Sequence, residues 1–262
     1  AGCSSMIDSG RPCRGGAPVL ALHRQLSPIN AGSWDFRWVP VCSSTEILLK
    51  QWLLQSPLML RPRVVAARQQ RWGVGQRGRV WRAPKGGVWL SAALPVVSDG
   101  PNPNNTGAGL LGLALALSLA ERLEHAGVSV QIKWPNDLLA SGRKLAGLLP
   151  GLVQRGNHLR LLRCGVGLNV CNAVPVGAAA VREFLPAATP ELWTAEVLLA
   201  LEACPNKLKD PENLIAQVQK RLWADRVRDP AGGGTWHIDG LTSAGGLRVQ
   251  RGDECREWIR WP

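Results

Sequence analysis

The stretch VSVQIKWPNDLLASGRKLAGLLPGLVQRGNHLRLLRCGVGLNV, residues Val128 to Val170, holds four β-like runs. They cover Val128 to Lys133, Leu138 to Ala140, Lys144 to Val153 and Leu159 to Val170. The turns between them are Pro135-Asn136, Ser141-Gly142 and Arg155-Gly156-Asn157, built from residues that favour chain reversal. Strands joined so tightly pair antiparallel, because a parallel pair needs a crossover of about a dozen residues or more. The centre of the chain is therefore predicted to be a largely antiparallel sheet.

Working upstream, Thr106 starts a helix that runs to about Ala126. Its leading half is apolar all round, which suits a buried helix. Asp99 to Asn105 (DGPNPNN) reads as a turn region, Val88 to Val97 and Arg63 to Ala67 as strands, and Gln70 to Gly87 as a Gly/Arg-rich loop. Trp34 to Cys42 alternates like a strand. Ser43 or Ser44 can then cap a helix with Ile47, Leu48, Trp52 and Leu53 on its apolar face. Downstream, helices are expected over Pro190 to Ala203 and Pro211 to Ala224. The tail from Thr235 to Trp261 suits a small barrel-like cap. With helices grouped on one side of the sheet, the class is α+β, with a mixed or antiparallel sheet. Three segments are expected: an irregular arm over 1–33 with one short helix or strand around Val19 to Leu26, a main domain over 34–225, and a small β domain over 226–262.

The chain has 262 residues, 45% of them hydrophobic, enough for one core with a small satellite. Its formal charge of +12 favours encounters with anionic partners without choosing among nucleotide, nucleic acid, membrane and acidic protein. The seven cysteines form no C-x-x-C pair, which reads as reduced thiols in a cytoplasmic protein and argues against a structural metal site. The most apolar stretch, Gly107 to Ala120, is shorter than the ~20 residues that span a bilayer. Residues 1 to 15 show no apolar signal core. No membrane association is expected.

Four motifs carry candidate chemistry. Gly73, Gly75 and Gly78, interleaved with Arg77 and Arg79, form a loop whose backbone amides and guanidiniums suit phosphate oxygens; a solvated basic loop is the plainer reading. It lacks the G-K-[ST] of a phosphate-binding P-loop and the strand–helix setting of a dinucleotide fingerprint. Lys133 ends a strand at the Trp134-Pro135-Asn136-Asp137 turn, where an ammonium sits either at a pocket edge or simply on the surface. Gly165-Val166-Gly167-Leu168-Asn169 strips side chains from one strand face, either for a flat ligand or for close packing, and Asn169 brings a donor and an acceptor. Arg143-Lys144-Leu145-Ala146-Gly147 is a charged hairpin tip feeding a strand, uninformative alone.

In this order, Ser44-Thr45, Gly73 to Trp81, Lys133 to Asp137 (K-W-P-N-D), Lys144 to Leu148 and Gly165 to Asn169 resemble the biotin–protein ligase family closely. The resemblance covers the chain from about Trp34 onward. It implies a class II synthetase-like α+β domain with a small C-terminal SH3-like β-barrel. It also implies a two-step reaction. The biotin carboxylate attacks the α-phosphate of ATP to give biotinyl-5′-AMP, and a lysine of the biotin carboxyl carrier protein of acetyl-CoA carboxylase then displaces AMP. Mg2+ is expected on the phosphates, with no protein residue assigned as its ligand.

The resemblance assigns Ser44, Thr45 and Gln70 to the ureido end of biotin. Gly73, Val74, Gly75 and Gln76 fall in the loop that folds over it, with Trp89 as an apolar wall and Gly165 and Gly167 beneath. Lys133 is placed between the biotin carboxylate and the α-phosphate as the key catalytic residue, with Arg77 and Arg79 on the phosphates. Trp81, Asn136, Lys144 and Asn169 fall on the nucleotide side. Two departures stand out. Val74 and Gln76 replace family arginines, so retention of the adenylate is expected to rest on Arg77, Arg79 and Lys133. Glu46 replaces the usual Asn after Ser-Thr. The resemblance further implies a ligase without the DNA-binding domain of some members, hence no nucleic-acid partner, and either a monomer or a homodimer. The runner-up is a lipoate or octanoate transferase of the same fold.

Overall fold

The computed structural model describes residues 16–27, 34–96, 107–155, 158–229 and 232–260. Helix α1 spans Ala17–Leu26, settling the choice left open in the arm. Strand β1 (Asp35–Val39) is followed by helix α2 (Thr45–Gln55) and strand β2 (Arg63–Ala67). The expected Gly/Arg loop is instead a two-stranded ribbon, β3 (Gln70–Val74) and β4 (Val80–Ala83), and β5 follows as Val88–Pro95. After α3 (Ala108–His125) come β6 (Gln131–Lys133), β7 (Asp137–Ala140), β8 (Arg143–Arg155) and β9 (His158–Leu168). Helices α4 (Pro190–Lys207) and α5 (Pro211–Gln219) precede β10 (Arg226–Arg228), β11 (Thr235–Leu241), β12 (Leu247–Arg251) and β13 (Glu254–Trp258). The DGPNPNN turn, and Gly156-Asn157 of another turn, lie outside the described residues.

Seven strands form one mixed sheet in the order β1-β2-β5-β9-β8-β7-β6. Among the described strands of this sheet β1 and β2 alone pair in parallel, and α2 supplies their crossover. The β7–β8 hairpin turns on Ser141 (φ 50°) and Gly142 (φ 71°), the left-handed pair that a two-residue hairpin needs. Strand alternation divides the apolar residues between the two faces. Val64, Ala66, Leu90 and Ala92 join the main core with α3, α4 and α5. Val65 and Ala93 pack instead with Leu49 and Trp52 of α2. The helices are therefore not on one side: α2 covers the opposite face. Ser44 caps it, accepting from the Glu46 amide at 3.3 Å. Its buried positions are Thr45, Leu49 and Trp52, whereas Ile47, expected inside, is exposed.

The all-apolar half of α3 is buried as expected, because it lies on the sheet at β8 and under α4 and α5. Strands β10 to β13 form a four-stranded antiparallel sheet whose pairing, among the described residues, runs in line and does not close into a ring. It is tied to the rest by Trp134, whose indole N–H donates to the Gly245 carbonyl at 2.9 Å. Gly245 (φ 85°) lies so close to α3 that a Cβ there would meet the Leu110 nitrogen at 3.1 Å.

Candidate active site

A cavity of about 410 Å³ opens on the α2 face of the large sheet. Its floor follows from strand register. Ser91, Gly165 and Leu149 lie side by side on β5, β9 and β8. Two residues along, Gly167, Gly147 and Asp137 lie side by side on β9, β8 and β7. Positions two apart share a face, so Gly147, Gly165 and Gly167 leave the floor without side chains.

One end of the cavity is lined mainly by neutral polar groups. The Gln70 side-chain oxygen accepts from the Thr45 amide at 2.8 Å and from the Thr45 hydroxyl at 3.1 Å. That hydroxyl also lies 2.9 Å from Ser91 Oγ. Glu46 stands beside them with Oε1 2.8 Å from Arg163 Nε, while its enclosed Oε2 has no hydrogen-bond partner.

The other end is ionic. Lys144 Nζ lies 2.6 Å from Asp137 Oδ2 and 5.0 Å from the centre of the Trp81 ring. Asn169 is buried there, with its side-chain oxygen accepting from Asn172 at 3.0 Å. Asn136, also buried, donates to the Leu148 carbonyl.

The β3–β4 ribbon is the roof. Trp81 pairs across it with Gly73, and its indole reaches down to the floor glycines. A Cβ on Gly167 would come within 2.6 Å of that ring, and one on Gly147 within 2.7 Å. A Cβ on Gly73 would meet the Trp81 carbonyl at 2.5 Å. Trp89 packs edge-on to Trp81 with centroids 6.3 Å apart and donates to the Pro84 carbonyl at 2.7 Å.

Of the residues anticipated from sequence, Ser44, Thr45, Gln70, Val74, Gly75, Gln76, Arg79, Trp81, Asn136, Lys144, Gly165, Gly167 and Asn169 all line the cavity. Four do not. Gly73 acts at one remove, by letting Trp81 approach. Trp89 is not a wall of this cavity; it buttresses Trp81 from behind. Arg77 (φ 57°) sits on the exposed ribbon turn. Lys133 is half-buried at the end of β6, facing Asp137 in register, so alternation puts both on the cavity's face of the sheet. Ser91, Arg82, Asp137 and Gly147 line the cavity without having been singled out as site residues. Ser91 was visible as the one polar residue in an otherwise apolar strand.

Cys164, on the core side of β9 next to Gly165, is fully enclosed, and burial pushes its thiol well above the usual range. The same cause lifts Cys204 to about 12 and Cys42 to about 11. The five described cysteines, Cys42, Cys164, Cys171, Cys204 and Cys255, are free thiols. No described helix is long and apolar enough to cross a membrane.

The geometry agrees with comparison to known proteins. Residues 38–169 match the Biotin/lipoate A/B protein ligase family, and the chain belongs to that family. The bifunctional ligase/repressor BirA of Bacillus subtilis is 34% identical over 110 residues, covering 41% of this chain and 32% of that protein. The biotin–[acetyl-CoA-carboxylase] ligase of Mycobacterium tuberculosis is 30% identical over 188 residues, covering 71% of this chain and 64% of that one. The chain thus spans about a third of the length of the first relative and under two thirds of the second. The biotin protein ligase of Aquifex aeolicus, solved with biotin and ATP, superposes with a TM-score of 0.68 at 22% identity, over 87% of this chain and 96% of that one. That likeness establishes the α+β fold.

Proposed function

We propose that this chain activates biotin with ATP to biotinyl-5′-AMP and transfers the biotinyl group to a lysine of a biotin carboxyl carrier protein. The observation that carries this reading is a single cavity with a mainly neutral polar end, a bare glycine floor and an ionic end. A ureido ring has one acceptor and two N–H donors, which suit the Ser44, Thr45, Gln70 and Ser91 groups. The ring can lie flat over Gly165. The carboxylate and the triphosphate then meet near Lys144, Arg79 and Asn169, with Lys133 on the same face. Two relatives bear the name biotin–[acetyl-CoA-carboxylase] ligase, which supports this acceptor. A lipoyl dithiolane offers the polar end nothing to bond, which disfavours the lipoate alternative.

Biotin supplies only its carboxylate to the chemistry, so the protein's work is to position groups and neutralise charge. The polar end fixes the ring. Cations at the far end offset the repulsion between carboxylate and phosphate, and Lys133 is our choice for bridging the two. Arg79, which lines the cavity, is our choice for holding the phosphates from the roof, and Arg77 on the exposed turn would join it only if the ribbon turn moved inward. A closed ribbon keeps water from the mixed anhydride until the acceptor lysine arrives.

The residues offer no cage for a divalent cation. No group of three His, Cys, Asp or Glu suited to a metal occurs among the described residues, and the two cavity carboxylates stand apart at opposite ends, Asp137 paired with Lys144 and Glu46 paired through one oxygen with Arg163. Mg2+ therefore comes with ATP, held by phosphate oxygens and water, and supplies charge neutralisation on the phosphates. We place the reaction in the cytoplasm, in keeping with the free thiols.

Incubation with biotin, ATP, Mg2+ and an isolated carrier domain tests the reading. The carrier should gain the mass of one biotin with release of pyrophosphate, and lipoate should not substitute. Lys133→Ala should slow adenylate formation by about 100-fold. A wild-type chain that forms no adenylate would overturn the proposal.

A further inference from the structure

The β3–β4 ribbon has an exposed outer strip that borders the cavity through Val74, Val80 and Arg82 and extends beyond it to Trp72 and Arg71. Val74 and Val80 are cross-strand partners, and both are exposed. Arg82 lies two residues after Val80 and shares its face, while Trp72 sits in the stretch between Gln70 and Gly73 where the register of β3 shifts, and is largely exposed. Trp72 is 68% exposed and Val80 73%. A ribbon presenting this much apolar surface is costly to leave in water unless something covers it.

The surroundings of the strip are cationic. Arg71, Arg77, Arg79 and Arg82 all lie on the ribbon and are exposed. From Ile47 to Ser98 the sequence contains no acidic residue at all. The strip is also continuous with the site, because Val74, Val80 and Arg82 border the cavity from which an activated carboxyl group must be handed on.

We propose that this outer face, centred on Trp72, Val74 and Val80, docks the protein that accepts the acyl group. The partner surface would carry carboxylates around an apolar spot close to its reactive lysine. The inference rests on the proposed ligase reading and extends it to the acceptor's footprint. An aliphatic pair beside a lone tryptophan forms a water-excluding centre with a charged rim, as protein interfaces do. A nucleic acid would call for several stacking aromatics along the cationic track.

The test separates adenylation from transfer. Trp72→Ser and Arg71→Glu change residues outside the cavity. Pyrophosphate release without acceptor, and trapping of the adenylate by hydroxylamine, should match wild type for both. The KM for the carrier domain should rise about tenfold or more for Trp72→Ser, with Trp72→Phe restoring most of it. Arg71→Glu should raise KM and flatten its salt dependence. An unchanged carrier KM in both variants overturns the docking proposal. So does loss of adenylation in folded variants, which would make the face part of the active site. Random-sequence duplex DNA displacing the carrier at ~0.15 M salt, in a manner dependent on Trp72, would assign the face to nucleic acid and overturn it as well. A wild type that forms no adenylate would instead defeat the ligase reading beneath it.

Discussion

The Lys144 ammonium lies 2.6 Å from the Asp137 carboxylate at the ionic end of the cavity. The pair joins two adjacent strands, and Asp137 also faces Lys133 across the neighbouring register. An anion arriving here meets an ammonium already held in place, which lessens reorganisation during the reaction. Lys144→Ala should lower the rate of adenylate formation by about 100-fold, with a smaller effect on biotin affinity. Stopped-flow measurement of pyrophosphate release at saturating biotin checks this; an unaltered rate would remove Lys144 from the nucleotide side.

Gly167→Ala should displace the roof from the floor. The added Cβ would stand 2.6 Å from the Trp81 ring, so the indole must tilt away. Adenylate formation should fall more than tenfold. The melting temperature should move only a few degrees, because Trp81 is only partly buried. Tryptophan fluorescence and calorimetry on the same sample separate the two effects.

Gln70→Leu removes an acceptor that serves both the amide and the hydroxyl of Thr45. Leaving such donors unsatisfied costs about 1–3 kcal/mol. Biotin affinity measured by calorimetry should weaken about 10- to 100-fold, while ATP affinity should stay within a factor of two to three.

Gln76 borders the cavity from the ribbon turn. Gln76→Arg should add a phosphate contact and slow release of biotinyl-5′-AMP. Rapid dilution of the preformed complex into excess unlabelled biotin gives the off-rate. An off-rate no slower than wild type would count against the idea that retention rests on the remaining cations.

Burial raises the thiols of Cys42, Cys164 and Cys204, so each is overwhelmingly protonated at pH 8. The thiolate is the reactive form. Iodoacetamide at pH 8 should modify exposed Cys255 and spare these three, as read by peptide mapping. The protonated form is the one the fold favours. Their contribution to stability is thus complete below the ordinary thiol value of 9.0 and is lost at alkaline pH, toward about 11 for Cys42 and about 12 for Cys204. Cys164→Ala and Cys204→Ala should soften that alkaline loss.

Much of the sheet was legible because its strands obey simple patterns. The Val128 to Val170 stretch has short polar turns between apolar runs, and the apolar half of α3 declared its own burial. The Gly/Arg segment concealed its ribbon because no alternating apolar pattern marks β3 or β4; Trp72 and Val80 face water, while the inward positions are the unlike residues Gln70, Trp81 and Ala83. The side of the sheet taken by α2 was hidden for a different reason. Both faces of β2 and β5 are apolar, so the pattern does not say which helix covers which face. In the site, K-W-P-N-D, K-x-x-G and G-x-G-x-N each contribute residues that line the cavity. What sequence spacing cannot supply is register. Only the pairing of Gly147 with Gly167 explains why Trp81 comes down where it does, and why Trp89 stands behind it rather than in the cavity wall.

The indole of Trp134 spends its N–H on Gly245, in the turn between β11 and β12. At 2% exposure it has no water to fall back on. Cutting the chain after Ala224 would therefore do more than shed an appendage. The strand end that carries Lys133 would lose its keystone, and damage done some hundred residues downstream would surface as a fault in the chemistry.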